Sequence, residues 1–227
     1  MSIIVISGGF LGTICSYLLC KLLAKKYPII LFSPLLLCPF MIIACISVFS
    51  IDYVQYDKGA HYLSKMLGPA TVAFAVPIYK HYSLIKKYVS VIMLSLIVGV
   101  LVAFTSSFLL ALTFGISTNM AYSLVPRSIT TPIAMDISTL IGGEPNMTAV
   151  FVIVTGLTGS IIGPYLIRIL QIRTTAAKGL MLGMGAHGAG TSAAFTLGEL
   201  EGTFSSLAMI LAALVSIILS ETFFFYL

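Results

Sequence analysis

Charge is what this sequence lacks. Only 8% of its residues are Asp, Glu, Lys or Arg, against about 25% in a soluble domain. Hydrophobic residues make up 59% and the mean hydropathy is +1.11. That deficit excludes a water-soluble globular protein and points to an integral membrane protein. No stretch is left over for a soluble domain, so residues 1–227 are expected to form a single integral membrane domain. No Ser-His-Asp order and no metal-ligand spacing stands out, which argues against an enzyme and against a bound cofactor or metal. Cysteine is scarce too: Cys15, Cys20, Cys38 and Cys45 all fall in the first two apolar runs. They read as small buried side chains rather than as a disulfide or metal site. No basic residue precedes the first apolar run, since Lys21 is the first. A transmembrane helix is therefore expected there rather than a cleavable signal.

What charge there is sits at the ends of apolar runs: Lys25, Lys26, Lys80, Lys86, Lys87, Arg168, Arg173 and Lys178. The positive-inside rule produces that placement. The net charge of +5 is thus a topology signal, and no nucleic-acid partner is expected.

A bilayer span needs roughly 20 apolar residues. Candidate segments are Ile3–Leu23, Ile29–Ile51, Leu63–Tyr79, Tyr88–Phe114, Ala121–Ile141, Met147–Leu170, Leu180–Leu197 and Phe204–Leu227. With Lys25-Lys26 and Lys80–Lys87 inside, the run from Tyr88 exits near Gly115. Arg168, Arg173 and Lys178 also belong inside, so Met147–Leu170 runs inward and both ends of Ser117–Asn146 lie outside. That segment holds Pro126, Arg127, Pro132, Asp136 and Gly142-Gly143. It suits a re-entrant hairpin, with an ordinary proline-kinked helix as the alternative. Lys178–Gly202 starts inside and reads as a second hairpin of opposite sense. Thr131 to Thr191 and Gly142 to Gly202 share one offset of 60 residues, as faint internal repeats do. The expected fold is all-α and polytopic, with about six to eight membrane segments, discontinuous or re-entrant helices, and an inverted-repeat, transporter-like plan.

Broken helices in lipid leave backbone polar groups that protein, water or a ligand must satisfy. The residues at the breaks are therefore the candidate substrate site: Arg127, Ser128, Thr130, Thr131, Pro132, Asp136, His187, Gly188, Gly190, Thr191 and Ser192. Arg127 can fork onto a carboxylate or snorkel to headgroups. The hydroxyls of Ser128, Thr130 and Thr131 either line a cavity beside the Pro132 break or bond back to their own helix. Asp136 is placed to pair with Arg127 or to bind a proton. Glu144, Glu199 and Glu201 read as solvated loop ends. Gly183-Met184-Gly185-Ala186-His187-Gly188 spells G-x-G-x-x-G, yet lacks the βαβ context of a dinucleotide site. These glycines, with Gly190, allow close approach of a ligand or of another helix. A helix restarting near Thr191-Ser192 would aim its N–H groups at an anion. His187 either couples a proton to transport or is a hydrogen-bonded structural histidine.

The blocks Thr130-Thr131-Pro132-Ile133-Ala134, Gly142-Gly143, Thr148-Ala149-Val150-Phe151, Gly163-Pro164 and His187 through Thr191 resemble those of the LrgB/CidB family. The resemblance spans nearly the whole chain and is strongest from Pro126 to Met209. It implies one of two roles. One is a carrier of small monocarboxylates similar to pyruvate uptake systems and plastid glycolate/glycerate translocators. The other is a holin-like or antiholin-like regulator of murein hydrolase activity and lysis. It also implies a multi-pass protein of the bacterial inner membrane, a small LrgA/CidA-type membrane partner, a small organic anion as ligand, and a homo-oligomer, a dimer. Ala193 is a departure, since many members of the resembled family carry a basic residue there; the missing cation would either change the substrate or leave Arg127 as the main anion partner.

Overall fold

In a computed structural model of the chain, the structure describes residues 2–27 and 32–223, which are helical with no strand among them. The start of the expected segment Ile29–Ile51 and the end of Phe204–Leu227 lie outside the described residues. The chain forms two compact units, Met1–Ala75 and Val76–Leu227.

The first unit contains α1 (Ser2–Lys26), α2 (Pro34–Val48), α3 (Tyr53–Lys65) and α4 (Leu67–Ala73). Gly9 of α1 lies against the backbone of Gly59 and Ala60 in α3, where an added Cβ would sit 3.3 Å away. Beside it the Thr13 hydroxyl donates to the Gly9 carbonyl at 2.7 Å and lies 2.7 Å from the Tyr56 hydroxyl. Asp52 caps α3 by accepting from the Val54 N–H at 3.2 Å. All four cysteines are free; Cys20 and Cys38 are buried, while Cys15 and Cys45 are exposed.

The expected span Leu63–Tyr79 is instead a string of short helices: the end of α3, then α4, then α5 (Ala75–Lys80), with α6 (Tyr82–Lys87) following. Proline explains where it breaks. Pro69 and Pro77 have no N–H to offer the carbonyls of Lys65 and Ala73, and α3 and α4 end at those two residues.

The second unit is built from α7 (Val89–Thr113), α8 (Thr118–Leu124), α9 (Thr131–Leu140), α10 (Pro145–Ile169), α11 (Thr175–Leu197) and α12 (Glu199–Phe223). Helix α7 buries a single stripe, Ile92, Leu96, Val100, Phe104, Ser107 and Ala111, at helical spacing. Its other faces expose Leu94, Val98, Val102 and Leu109. Helix α12 is the inner pillar, with Thr203, Phe204, Ser205, Ala208, Ala212 and Ala213 all buried, and it packs most extensively on α11.

Among the described residues, four helices are long and apolar enough to cross a bilayer: Ser7–Lys26, Val89–Thr113, Pro145–Ile169 and Glu199–Thr222. A helix of 25 residues is about 37 Å long, more than the ~30 Å hydrocarbon core. This is a helical membrane protein. The remaining apolar runs are divided into shorter or bent helices, and two of them form the site.

Candidate functional site

The segment between α7 and α10 folds as a helical hairpin. Pro126 lies in the break after α8, and Pro132 is tolerated in the first turn of α9, where a missing N–H is not needed. The two ends of the segment meet: Asn119 Nδ2 at the start of α8 donates to the carbonyl of Gly142, just beyond α9, at 2.8 Å. One buried hydroxyl of α10 ties both arms together. Thr148 Oγ1 lies 2.9 Å from the Ser123 carbonyl and 2.7 Å from Ser138 Oγ, and all three residues are fully buried. The glycine pair makes the return possible. Gly142 has φ +85°, and a Cβ on Gly143 would stand 2.8 Å from the Ser123 amide.

Helix α11 is a second hairpin. Ala186 (φ −139°, ψ 20°) and His187 (φ 40°, ψ −127°) leave the helical region. In a straight helix Leu182 and Gly190 would stand about 12 Å apart along the axis. Here Gly190 lies directly against the Leu182 carbonyl, so the chain turns back at Ala186–His187. Helix α10 seats this tip with glycines. A Cβ on Gly156 would lie 2.7 Å from the His187 ring, and one on Gly159 would lie 2.5 Å from that of Ala186.

The two tips border one cavity of about 490 Å³, within the 300–1,000 Å³ typical of small-molecule sites. Arg127 comes from the first tip, Gly185 and Ala186 from the second, and Phe151, Thr155, Thr158 and Gly159 from α10. The remaining lining is largely apolar, and Arg127 is its single charged side chain. Arg127 is half-buried. Its Nε donates to Ser107 Oγ of α7 at 3.0 Å. The ion pairs among the described residues, Lys80–Glu199, His81–Glu199 and Lys178–Glu201, leave Arg127 without an acidic partner.

Of the eleven residues offered from sequence as the substrate site, Arg127 alone lines this cavity, joined there by Gly185 of the glycine run. Ser128 is buried in the break, Thr130 precedes the first turn of α9, and Thr131 is half-buried, while Pro132 and Asp136 are exposed. Asp136 makes no ion pair with Arg127 among the described residues. His187 stands beside the cavity wall with Nε2 3.1 Å from the Val152 carbonyl of α10. Thr191 is buried, 2.9 Å from the His187 carbonyl and 3.0 Å from Ser205 Oγ. Gly190 serves the fold-back and Gly183 packs on the Ser205 backbone, so these two follow the packing alternative. Gly188 is half-buried and Ser192 exposed. Glu201, expected at a solvated loop end, is buried 3.9 Å from Lys178 Nζ.

Sequence reasoning missed the α10 wall. Thr155, Thr158, Gly159 and Gly163 recur at i, i+3, i+4 and i+8, a face of small residues readable from spacing alone.

Comparison with known proteins matches residues 13–225 to the LrgB-like family. Protein YwbG of Bacillus subtilis (strain 168) is 45% identical over 205 residues, covering 90% of this chain and 91% of that protein. Protein YxaC of the same organism is 37% identical over 203 residues, 89% of this chain and 88% of that protein. Holin-like protein CidB of Staphylococcus aureus (strain N315) is 38% identical over 207 residues, 91% of this chain and 90% of that protein. No solved structure matches the chain.

Proposed function

The chain belongs to the LrgB-like family, and from that membership together with the Arg127 cavity we propose that it carries small organic monoanions across the bacterial inner membrane. The substrates are short monocarboxylates of the pyruvate, lactate and glycolate kind. One observation carries this reading: a cavity otherwise free of charge has one guanidinium, at the tip of one hairpin, facing the tip of another. With Nε held by Ser107, the two Nη groups are left to meet a carboxylate, and charge-assisted hydrogen bonds of this kind are about twice as strong as neutral ones. Opposed hairpins give such a site two entrances, which alternating access requires. The chain acts as one membrane domain, as a homodimer, and with a small LrgA/CidA-type membrane protein. Uptake of radiolabelled pyruvate, lactate and glycolate into proteoliposomes, with and without that small protein, tests the reading. Saturable uptake that Arg127→Ala removes is expected; no uptake of any of the three in either preparation would overturn it.

A second reading rests on the relative Holin-like protein CidB. On that reading the chain is a holin-like or antiholin-like regulator of murein hydrolase activity. Release of a neutral trapped dye separates the two, because a lysis pore leaks the dye and a carrier retains it.

A further inference from the structure

We propose that Thr155 and Thr158 of α10 form a second subsite in the cavity, one that takes an uncharged oxygen-bearing group on the anion held by Arg127. The inference rests on the carrier reading and names what that site selects.

A hydroxyl on an apolar helix ordinarily returns to a carbonyl three or four residues back. Thr105, Ser107, Thr139, Ser160, Thr203 and Ser206 all do so here, at 2.6–3.0 Å. Thr155 and Thr158 do not: both line the cavity, and neither hydroxyl bonds to another described residue. They stand one helical turn apart on one face, where neighbouring side chains have Cβ atoms about 5–6 Å apart. Two free hydroxyls so placed can bracket one oxygen.

The chemistry of the wall fixes the class of ligand. A hydroxyl both donates and accepts, so the pair receives a ligand hydroxyl or a ligand carbonyl equally. It cannot neutralise a second carboxylate, and the cavity holds no second cation, so a dianion would bury an unpaired charge. An alkanoate lacking the extra oxygen would leave both hydroxyls dry. Sites built to hydrogen-bond a substrate oxygen discriminate strongly against the analogue without it. The preferred ligand is a short monoanion carrying one hydroxyl or keto oxygen.

Lactate and propionate differ by that oxygen alone. Displacement of radiolabelled lactate by each, from the full chain in nanodiscs, should favour lactate at least tenfold. The double variant Thr155→Val/Thr158→Val, isosteric at both positions, should bring the two ligands within about twofold of each other. Thr155→Ser/Thr158→Ser should keep the preference. Arg127→Lys should weaken both ligands by the same factor and leave their ratio intact. A valine double variant that keeps the wild-type ratio, or that loses both ligands equally, overturns the subsite and leaves the carrier reading standing. Arg127→Ala that binds both ligands as the wild type does overturns Arg127 as the anion site, and a wild type that binds neither ligand overturns the carrier reading itself.

Discussion

Arg127 reaches the cavity with its Nε held 3.0 Å from Ser107 Oγ on α7, and the direction of that bond is fixed. The Ser107 proton goes to the Ala103 carbonyl at 2.6 Å, so its oxygen lone pair is what meets the arginine. Ser107 is 2% exposed, and a buried acceptor of this kind sets the plane of the guanidinium. Replacing it by Ala removes a hydrogen bond to a charged group, on the order of 1.5–3 kcal/mol. Anion affinity of Ser107→Ala in nanodiscs should drop roughly tenfold while insertion is unchanged. Wild-type affinity would show that α7 does not orient the arginine.

Arg127→Lys keeps the charge and loses the planar fork. Apparent affinity for a monocarboxylate should weaken roughly ten- to hundredfold, since about 1.4 kcal/mol is a factor of ten. Arg127→Ala should stop uptake without loss of folded protein, judged by size-exclusion profile in detergent. Unchanged affinity in the lysine variant would return Arg127 to the role of an interfacial anchor.

The contact between Asn119 and Gly142 brings the two ends of the first hairpin together. In a background free of Cys15, Cys20, Cys38 and Cys45, single cysteines at Ser117 and Asn146 should both react with an impermeant thiol reagent applied from outside. Reaction of one from each side of the membrane would restore a through-going, kinked helix.

Two glycines two residues apart in α11 should respond oppositely. A Cβ on Gly183 collides with the Ser205 backbone, which cannot move aside, whereas a Cβ on Gly185 meets nothing within 4 Å. Thermal unfolding in detergent should show Gly183→Ala clearly destabilised and Gly185→Ala close to wild type. Equal transition temperatures would mean that α11 and α12 are not in tight contact.

Thr148→Val keeps the shape of the side chain and removes the hydroxyl that joins the arms of the first hairpin to α10. The Ser123 carbonyl and the Ser138 hydroxyl then lose a buried partner, which costs about 1–3 kcal/mol. A lowered unfolding temperature with unchanged anion affinity in the folded fraction is expected. No change would place water where the hydroxyl was.

Sequence reading located both breaks, because Pro126, Pro132 and the glycines around His187 are strong punctuation in an apolar chain. It also singled out Arg127, since a lone arginine among apolar residues stands out. The glycine roles were less readable. Gly183, Gly185 and Gly190 look alike in sequence, but one abuts Ser205, one lines the cavity and one backs onto Leu182; only the fold-back at Ala186–His187 separates them. Hydropathy read Leu63–Tyr79 as one unbroken segment for a related reason. Averaging along the chain registers the apolar content of Leu63–Tyr79 but not the two carbonyls that Pro69 and Pro77 leave without donors. The α10 wall escaped because Thr155 and Thr158 read as ordinary residues of a continuous span. What marks them is the absence of a return bond on two hydroxyl side chains that line the same cavity, a fact of three dimensions.

The burial of α12 has a bearing on how the protein responds to its lipid. Helices α7 and α10 present exposed Leu94, Val98, Val102, Val150 and Ile153, so hydrocarbon thickness acts on them directly, and a mismatch is relieved by tilt. Over Glu201–Ser206 every residue of α12 is buried, and its length there is matched to protein rather than to acyl chains. A thinner bilayer is therefore expected to tilt α10 against the buried start of α12, whose exposed residues Leu214, Ile217 and Ile218 lie further along the helix. Since α10 carries the glycine seat for the His187 tip, such a tilt would change the width of the cavity, and acyl-chain length is then expected to bear on what the cavity admits.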